Sequence, residues 1–125
     1  MAAIRSSGMK PEMLVRSLTH RMGYRFRLHR NDLPGKPDLV FGPRRKVIFV
    51  HGCFWHQHAD PECKFARRPK SNLGYWGPML QRNIDRDAAN ETKLAEDGWN
   101  VLTIWECETK DTGALADRIR TFLTP

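Results

Sequence analysis

The feature that most constrains how this chain can fold is the spacing Cys53-x4-His58-x4-Cys63, with a third cysteine, Cys107, far downstream, just beyond an apolar segment. Three thiolates and one imidazole make a closed tetrahedral Zn²⁺ set with no position left for substrate, so the set reads as a structural site. The spacing is not that of a standard zinc finger. It would tie an irregular stretch, roughly residues 52–77, to the strand that ends at Trp105. Unstructured loops of that length are uncommon in compact domains unless they are functional or held down. The alternative is three unpaired cysteines in a core, where free cysteine is at home. An odd cysteine count with no secretory signal argues against a disulfide framework.

The chain has 125 residues, which suits one domain spanning 1–125. A domain of that size buries a limited share of its surface, and a metal staple would help it. Pro11 to Met22 is predicted as a helix, with Pro11 in its first turn, Met13, Leu14, Leu18 and Met22 at helical spacing, and Gly23 as its stop. Tyr24 to Leu28 alternates as a half-buried strand. Leu33 to Pro37 is a turn, and Asp38 to Phe41 a short strand. Lys46 to His51 holds a β-branched apolar run expected in a central strand. A second helix is predicted from Pro78 to Asp97, with Leu80, Ile84, Ala88, Leu94 and Ala95 as its apolar stripe and Gly98 as its end. A strand from Asn100 to Trp105 and a helix carrying Leu115, Ile119, Phe122 and Leu123 complete a mixed α/β domain, one sheet with flanking helices. The longest apolar run, Val47–Val50, is far too short to span a membrane, and a cytoplasmic location is expected.

Charge is unevenly placed. The net charge is +7, but residues 1–70 hold 15 Lys/Arg against 5 Asp/Glu, and residues 71–125 hold 6 against 9. A basic first half points to a polyanion such as nucleic acid, although many basic domains bind none.

Two constellations bear on chemistry. Asp38 opens a strand next to the expected end of Val47–His51. A carboxylate there can hold Mg²⁺ near a phosphate, where the ion neutralises developing charge and lowers the pKa of bound water. Pro-Asp alone also occurs in ordinary turns. His51 and His56 bracket Gly52-Cys53-Phe54-Trp55, and an imidazole can take a proton from water near neutral pH. They could equally be hydrogen-bonded structural residues or spare zinc ligands. Adjacent Phe54 and Trp55 should point to opposite sides and could wedge between base steps; packing of one ring in the core is the alternative. Tyr75 and Trp76 repeat that ambiguity.

These residues taken together resemble a known family. Val50-His-Gly-Cys-Phe-Trp-His56, preceded by Leu33-Pro-Gly-Lys-Pro-Asp38 and followed by Trp105-Glu-Cys107, is similar to the very short patch repair (Vsr) DNA mismatch endonucleases, and Pro11-Glu-Met-Leu-Val-Arg16 resembles their first helix. The resemblance implies a restriction-endonuclease-like fold of the PD-(D/E)xK type. It implies Mg²⁺-dependent nicking of one strand of double-stranded DNA 5′ to the mispaired T of a T·G mismatch, the start of very short patch repair. Asp38 and the backbone carbonyl of Val50 would hold Mg²⁺. His56 would be the general base, with His51 and Glu12 supporting phosphate, metal waters or leaving group. Cys53, His58, Cys63 and Cys107 match the family's structural Zn²⁺ ligands. Phe54, Trp55 and Trp76 match its wedging aromatics, Asn83 a polar residue near the DNA, and Met1 a methionine on the minor-groove side. There are departures: Val50 stands where the best-known members have threonine, Met79 at a position that can be basic, and Met1 close to where an upstream arm would end. A monomer is expected, with a mismatch-repair protein or a methyltransferase as partner. Two other readings use the same residues: a related endonuclease of different specificity in restriction or defence, and a non-catalytic zinc-bound DNA-binding module. The module has no need for Asp38 and His56 together.

Overall fold

The computed structural model describes residues 10–28, 30–67 and 71–124. The apolar run at Val47–Val50 lies in β3 (Lys46–His51), the middle of a four-stranded mixed sheet ordered β1-β2-β3-β4. β1 (Arg27–Leu28) and β2 (Leu39–Phe41) run antiparallel to their neighbours, with Leu39 opposite Ile48. β4 (Asn100–Trp105) is parallel to β3, pairing Val47 with Val101 and His51 with Trp105. A parallel pair needs a crossover, which here contains α2 (Leu73–Glu96).

The alternation of β2 and β3 separates two apolar layers. Leu39, Phe41, Ile48 and Ile104 face one way, where they meet Leu14, Val15 and Leu18 of α1 (Pro11–Arg21) and Leu115, Ile119 and Leu123 of α3 (Thr112–Leu123). Val40, Val47 and Phe49 face the other way, against Leu94 of α2 and Trp99. The predicted arrangement of helices flanking one mixed sheet is present. Among the described residues no helix is long and apolar enough to cross a membrane.

Several local expectations change. Only Arg27 and Leu28 of the predicted Tyr24–Leu28 strand pair with β2, although Tyr24 and Phe26 do turn inward and Phe26 meets Phe41 edge-on. Leu28, at the end of that alternation, is exposed. In α1, Met13 is exposed and Val15 takes its place in the core, because the buried face is Leu14, Val15, Leu18 and Thr19. Asp38 precedes β2 rather than opening it.

The largest shift is in α2, which begins at Leu73, inside the stretch read as irregular, and carries Pro78 in its interior. The first turn is closed by the Tyr75 and Trp76 N–H groups, both donating to the Asn72 carbonyl at 3.0 Å. Proline lacks the N–H that would reach the Gly74 carbonyl, so the helix forgoes one ladder bond near its start. Ala88 and Ala95 are exposed. The inward stripe is Leu80, Asn83, Ile84, Asp87, Asn90 and Leu94, polar where it passes the end of β3. α2 ends as expected at Gly98, whose φ of +86° suits a residue without Cβ.

Part of the basic first half serves the fold. Arg44 donates to the Leu123 carbonyl at 2.9 Å and Lys46 to the Phe122 carbonyl, while Arg45 reaches the Asp97 carbonyl at 2.6 Å. These cations satisfy carbonyls at the C-terminal ends of α3 and α2, where a positive charge also complements the helix dipole.

Candidate active site

An open cleft of about 610 Å³ lies at the C-terminal end of β3, between the turn before β2 and the inner face of α2. Strand alternation decides what enters it. Phe49 and His51 lie on the α2 face, as do Thr103 and Trp105 of β4, and Asp38 approaches from just before the start of β2. The turn supplying Asp38 fits closely: Gly35 has φ +76°, and a Cβ there would meet Asn90 Nδ2 at 3.0 Å and Phe49 at 3.1 Å. The structure therefore brings Asp38, Val50, His51 and His56 to one cleft.

The contacts within the cleft are specific. The Val50 N–H donates to Asp38 Oδ2 at 2.7 Å, tying the carboxylate to the residue expected to share a metal with it. The rings of His51 and His56 stack in parallel, 3.8 Å between centroids and 8° between planes. His56 Nδ1 is 2.6 Å from Asp87 Oδ2. Burial, together with charge on His56, lowers the pKa of His51 to about 4, against an opposing pull from Asp87. His51 is accordingly neutral at pH 7, able to donate through one ring nitrogen and accept through the other. Ligand atoms of His51, His56 and Asp87 lie within 4.8 Å of one another. Two parallel stacked imidazoles cannot both aim in-plane lone pairs at one ion without tilting, so this trio is arranged as a hydrogen-bonded His56–Asp87 pair with His51 stacked on it rather than as a metal cage.

Asp87 is the residue that sequence reasoning missed. Its signal was there: Leu80, Ile84, Asp87 and Leu94 recur at three- and four-residue spacing, or a sum of such steps, placing a carboxylate in an apolar stripe. Lys36, Arg86 and Asn90 also line the cleft without having been singled out. Glu12 stands half-buried in the first turn of α1 and is not among the cleft-lining residues. Met1 lies outside the described residues.

Beside the cleft, Cys53, His58, Cys63 and Cys107 converge, all four ligand atoms within 4.8 Å of one another. His58 Nδ1 is 3.8 Å from Cys53 Sγ and 3.5 Å from Cys107 Sγ. Zinc bond lengths of about 2.0–2.3 Å imply tetrahedral ligand–ligand edges of about 3.6 Å, and these distances match. Burial pushes the Cys53 thiol up to about 12 and raises that of Cys107 as well. Thiols held protonated by burial lose their protons when a bound cation replaces them, so the donor set fits a thiophilic divalent ion.

The seven residues from Gly52 to His58 serve both places because they form turns rather than a strand. His56 N–H donates to the Gly52 carbonyl and His58 N–H to the Cys53 carbonyl, at 3.1 and 3.0 Å. Gln57 occupies the left-handed region at φ 50°, and its amide donates to the Phe54 and Ala66 carbonyls. The same turn alters the aromatic expectation. Phe54 and Trp55 do not diverge; they meet edge-on at 5.2 Å, and Trp76 closes the cluster at 5.5 Å from Phe54 and 5.9 Å from Trp55. Trp55 is 50% exposed and the adjoining Tyr75 60%. Asn83 Nδ2 donates to the Trp55 carbonyl at 2.9 Å, and Arg86 donates to Asn83 Oδ1 at 3.0 Å, joining the aromatic patch to the cleft wall.

Comparison with known proteins fits this geometry. The family model described as DNA mismatch endonuclease Vsr matches residues 1–63. The chain belongs to the Vsr family. Over all 125 of its residues it is 53% identical to the "Type II nicking enzyme V.XorIIP" of Xanthomonas oryzae pv. oryzae, covering 90% of that protein. It is 39% identical to the "Type II nicking enzyme V.NmeAIP" of Neisseria meningitidis, over 95% of this chain and 83% of the relative. It is 36% identical to the "DNA mismatch endonuclease Vsr" of Escherichia coli, over 97% and 76% respectively. In this Vsr-family chain the cleft, the cysteine cluster and the aromatic patch are gathered around the Gly52–His58 segment by the strands beside it and by α2.

Proposed function

We propose that this Vsr-family chain is a DNA endonuclease of restriction-endonuclease-like fold that nicks one strand of duplex DNA 5′ to the mispaired T of a T·G mismatch, by Mg²⁺-dependent hydrolysis that begins very short patch repair. The observation that carries the reading is the His56–Asp87 pair facing the Asp38–Val50 corner across one cleft. Asp87 holds Nδ1 of His56, so Nε2 is the atom that takes a proton from the attacking water, and the carboxylate stabilises the imidazolium that results. Neutral His51, stacked on His56, supports the phosphate or the leaving oxygen, with Glu12 as a further support from α1. Asp38 and the Val50 carbonyl would hold the Mg²⁺, whose share is to neutralise charge on the phosphate and acidify water. One carboxylate and one carbonyl leave room for the waters that Mg²⁺ retains. Zn²⁺ on Cys53, His58, Cys63 and Cys107 would be structural.

Exposed Trp55, with half-buried Phe54 and Trp76 beside it, forms the group that wedges into the duplex, and Asn83, bonded to the Trp55 backbone, fixes that wedge relative to the cleft. Lys36 and Arg86, on opposite walls, give the scissile strand two cations to lie between. The test is a panel of labelled duplexes carrying each mismatch in several flanking contexts, incubated with protein and Mg²⁺. Nicking of the T strand of T·G above all other mismatches is expected, and equal indifference to every mismatch would overturn the reading. A second reading keeps the chemistry and changes the recognition sequence. It is favoured by two relatives, at 53% and 39% identity, that are named Type II nicking enzymes. Nicking confined to one flanking context distinguishes it.

A further inference from the structure

We propose that Trp105 is a positioning residue that transmits the geometry of the cysteine–histidine metal site to the catalytic histidines. Parallel register places Trp105 directly beside His51, on the same face of the sheet. The indole meets His51 edge-on, 5.3 Å between centroids at 77°. It also lies flat against His58, 4.3 Å away at 12°. His51 in turn stacks on His56, which Asp87 holds. The rings therefore form one continuous series, His58, Trp105, His51, His56, running from the metal site to the general base.

Two observations make this more than adjacency. First, Nδ1 of His51 is buried with no hydrogen-bond partner among the described residues. Its ring plane is set by packing alone, by Trp105, by His56 and by Phe49 at 5.5 Å. Second, both ends of the series are anchored. Nδ1 of His58 faces the sulfurs of Cys53 and Cys107, so an ion bound there fixes that ring. The backbone of Trp105 runs straight into the turn carrying Cys107, and its N–H donates to Glu108, which Arg118 of α3 holds. The same Arg118 reaches the Thr103 carbonyl on the strand below. Trp105 is thus clamped between the proposed metal ligand His58 and an imidazole that only ring packing orients.

The inference rests on His51 and His56 being the catalytic pair, but its test does not need activity. Trp105→Phe retains an aromatic face and Trp105→Leu fills space without one. Ring resonances of His51 and His56, assigned through His51→Gln and His56→Gln, are followed in the Zn²⁺-loaded protein and again after exchange to Cd²⁺, a larger ion. Cd²⁺ is expected to shift both sets in the wild type, weakly in Trp105→Phe and not in Trp105→Leu, with one metal ion per chain retained throughout. On a cleaved duplex, Trp105→Leu is expected to lower kcat about tenfold with KM little changed, inside the roughly 100-fold that a 1 Å misplacement can cost, and Trp105→Phe to restore most of it. Unmoved His51 and His56 resonances on Cd²⁺ exchange in the wild type overturn the inference even if no leucine variant folds. Loss of nicking on every duplex with the resonance coupling intact overturns the function and leaves the coupling standing.

Discussion

Asp87→Asn is the sharpest perturbation of the proposed base. The Asp87 carboxylate meets His56 Nδ1 at 2.6 Å, with side-chain exposures of 22% and 25%. A hydrogen bond to a charged group contributes about 1.5–3 kcal/mol. If that contribution appears only when His56 becomes an imidazolium, its loss slows the chemical step about 10- to 150-fold. Partial exposure keeps the effect below the ~10⁴-fold that the same change costs in a buried serine-protease triad. Asparagine adds a second penalty that alanine does not. Its NH₂ can donate to Nδ1 and so force the proton onto Nε2, the atom that must accept one from water. Asp87→Asn is therefore expected to be at least as slow as Asp87→Ala. The assay is single-turnover nicking of a labelled T·G duplex at saturating protein, with Kd measured separately. Because Asp87 sits behind His56, Kd should stay within about twofold, the mark of an interaction made in the transition state. An Asp87→Asn rate within threefold of wild type, or a loss found wholly in Kd, would refute the assignment.

Other consequences are more direct. Cys107→Ser should cut bound Zn²⁺ well below one per chain, and the melting midpoint should fall by roughly 4 °C for each kcal/mol lost; metal analysis with calorimetry checks both. Trp55→Ala removes the most exposed ring of the Phe54–Trp55–Trp76 cluster and should weaken mismatched-duplex binding by about 1–3 kcal/mol, the worth of one stacked base. A titration showing the same loss on a perfectly paired duplex would deny the wedge role. Arg86→Ala should weaken binding across all sequences and reduce the slope of log K against log salt by about one, as expected for a single phosphate contact.

Much of this molecule was legible in its residues, and the failures have physical causes. Val47–Val50 reads as a buried strand because it is short, apolar and β-branched, and Gly98 as a helix end because a residue without Cβ takes the left-handed φ there without strain. The start of α2 was hidden because Leu73–Pro78 holds two glycines and a proline, poor helix formers that tertiary packing overrides. Asp87 was hidden because carboxylates on helices ordinarily face water. Its inward position became visible only when Leu80 and Leu94 were seen buried on either side of it. Charge counting overestimated the surface free for DNA. Arg44, Arg45 and Lys46 account for three of the basic residues in the first half, yet their cations close helix ends. Lys36 and Arg86, at the cleft itself, are the better guides to where a phosphate backbone would lie.

The turn from Gly52 to His58 explains why such different duties sit so close in sequence. An extended segment offers two directions, alternating by residue, and could not send Cys53 and His58 one way, His56 another, and Phe54 with Trp55 a third. Winding the segment through His56–Gly52 and His58–Cys53 backbone bonds opens those directions. The left-handed Gln57 separates the two histidines, so that one joins Asp87 and the other the cysteines. Such a turn has almost no apolar core of its own; Cys53 is its one fully buried side chain. Its shape therefore depends on what is tied to it at either end: sulfur ligands on one side, and Asn83 holding the Trp55 carbonyl on the other. Loosening either tie moves His56 and the Phe54–Trp55 rings together, so the groups proposed as metal site, general base and DNA contact form a single mechanical unit.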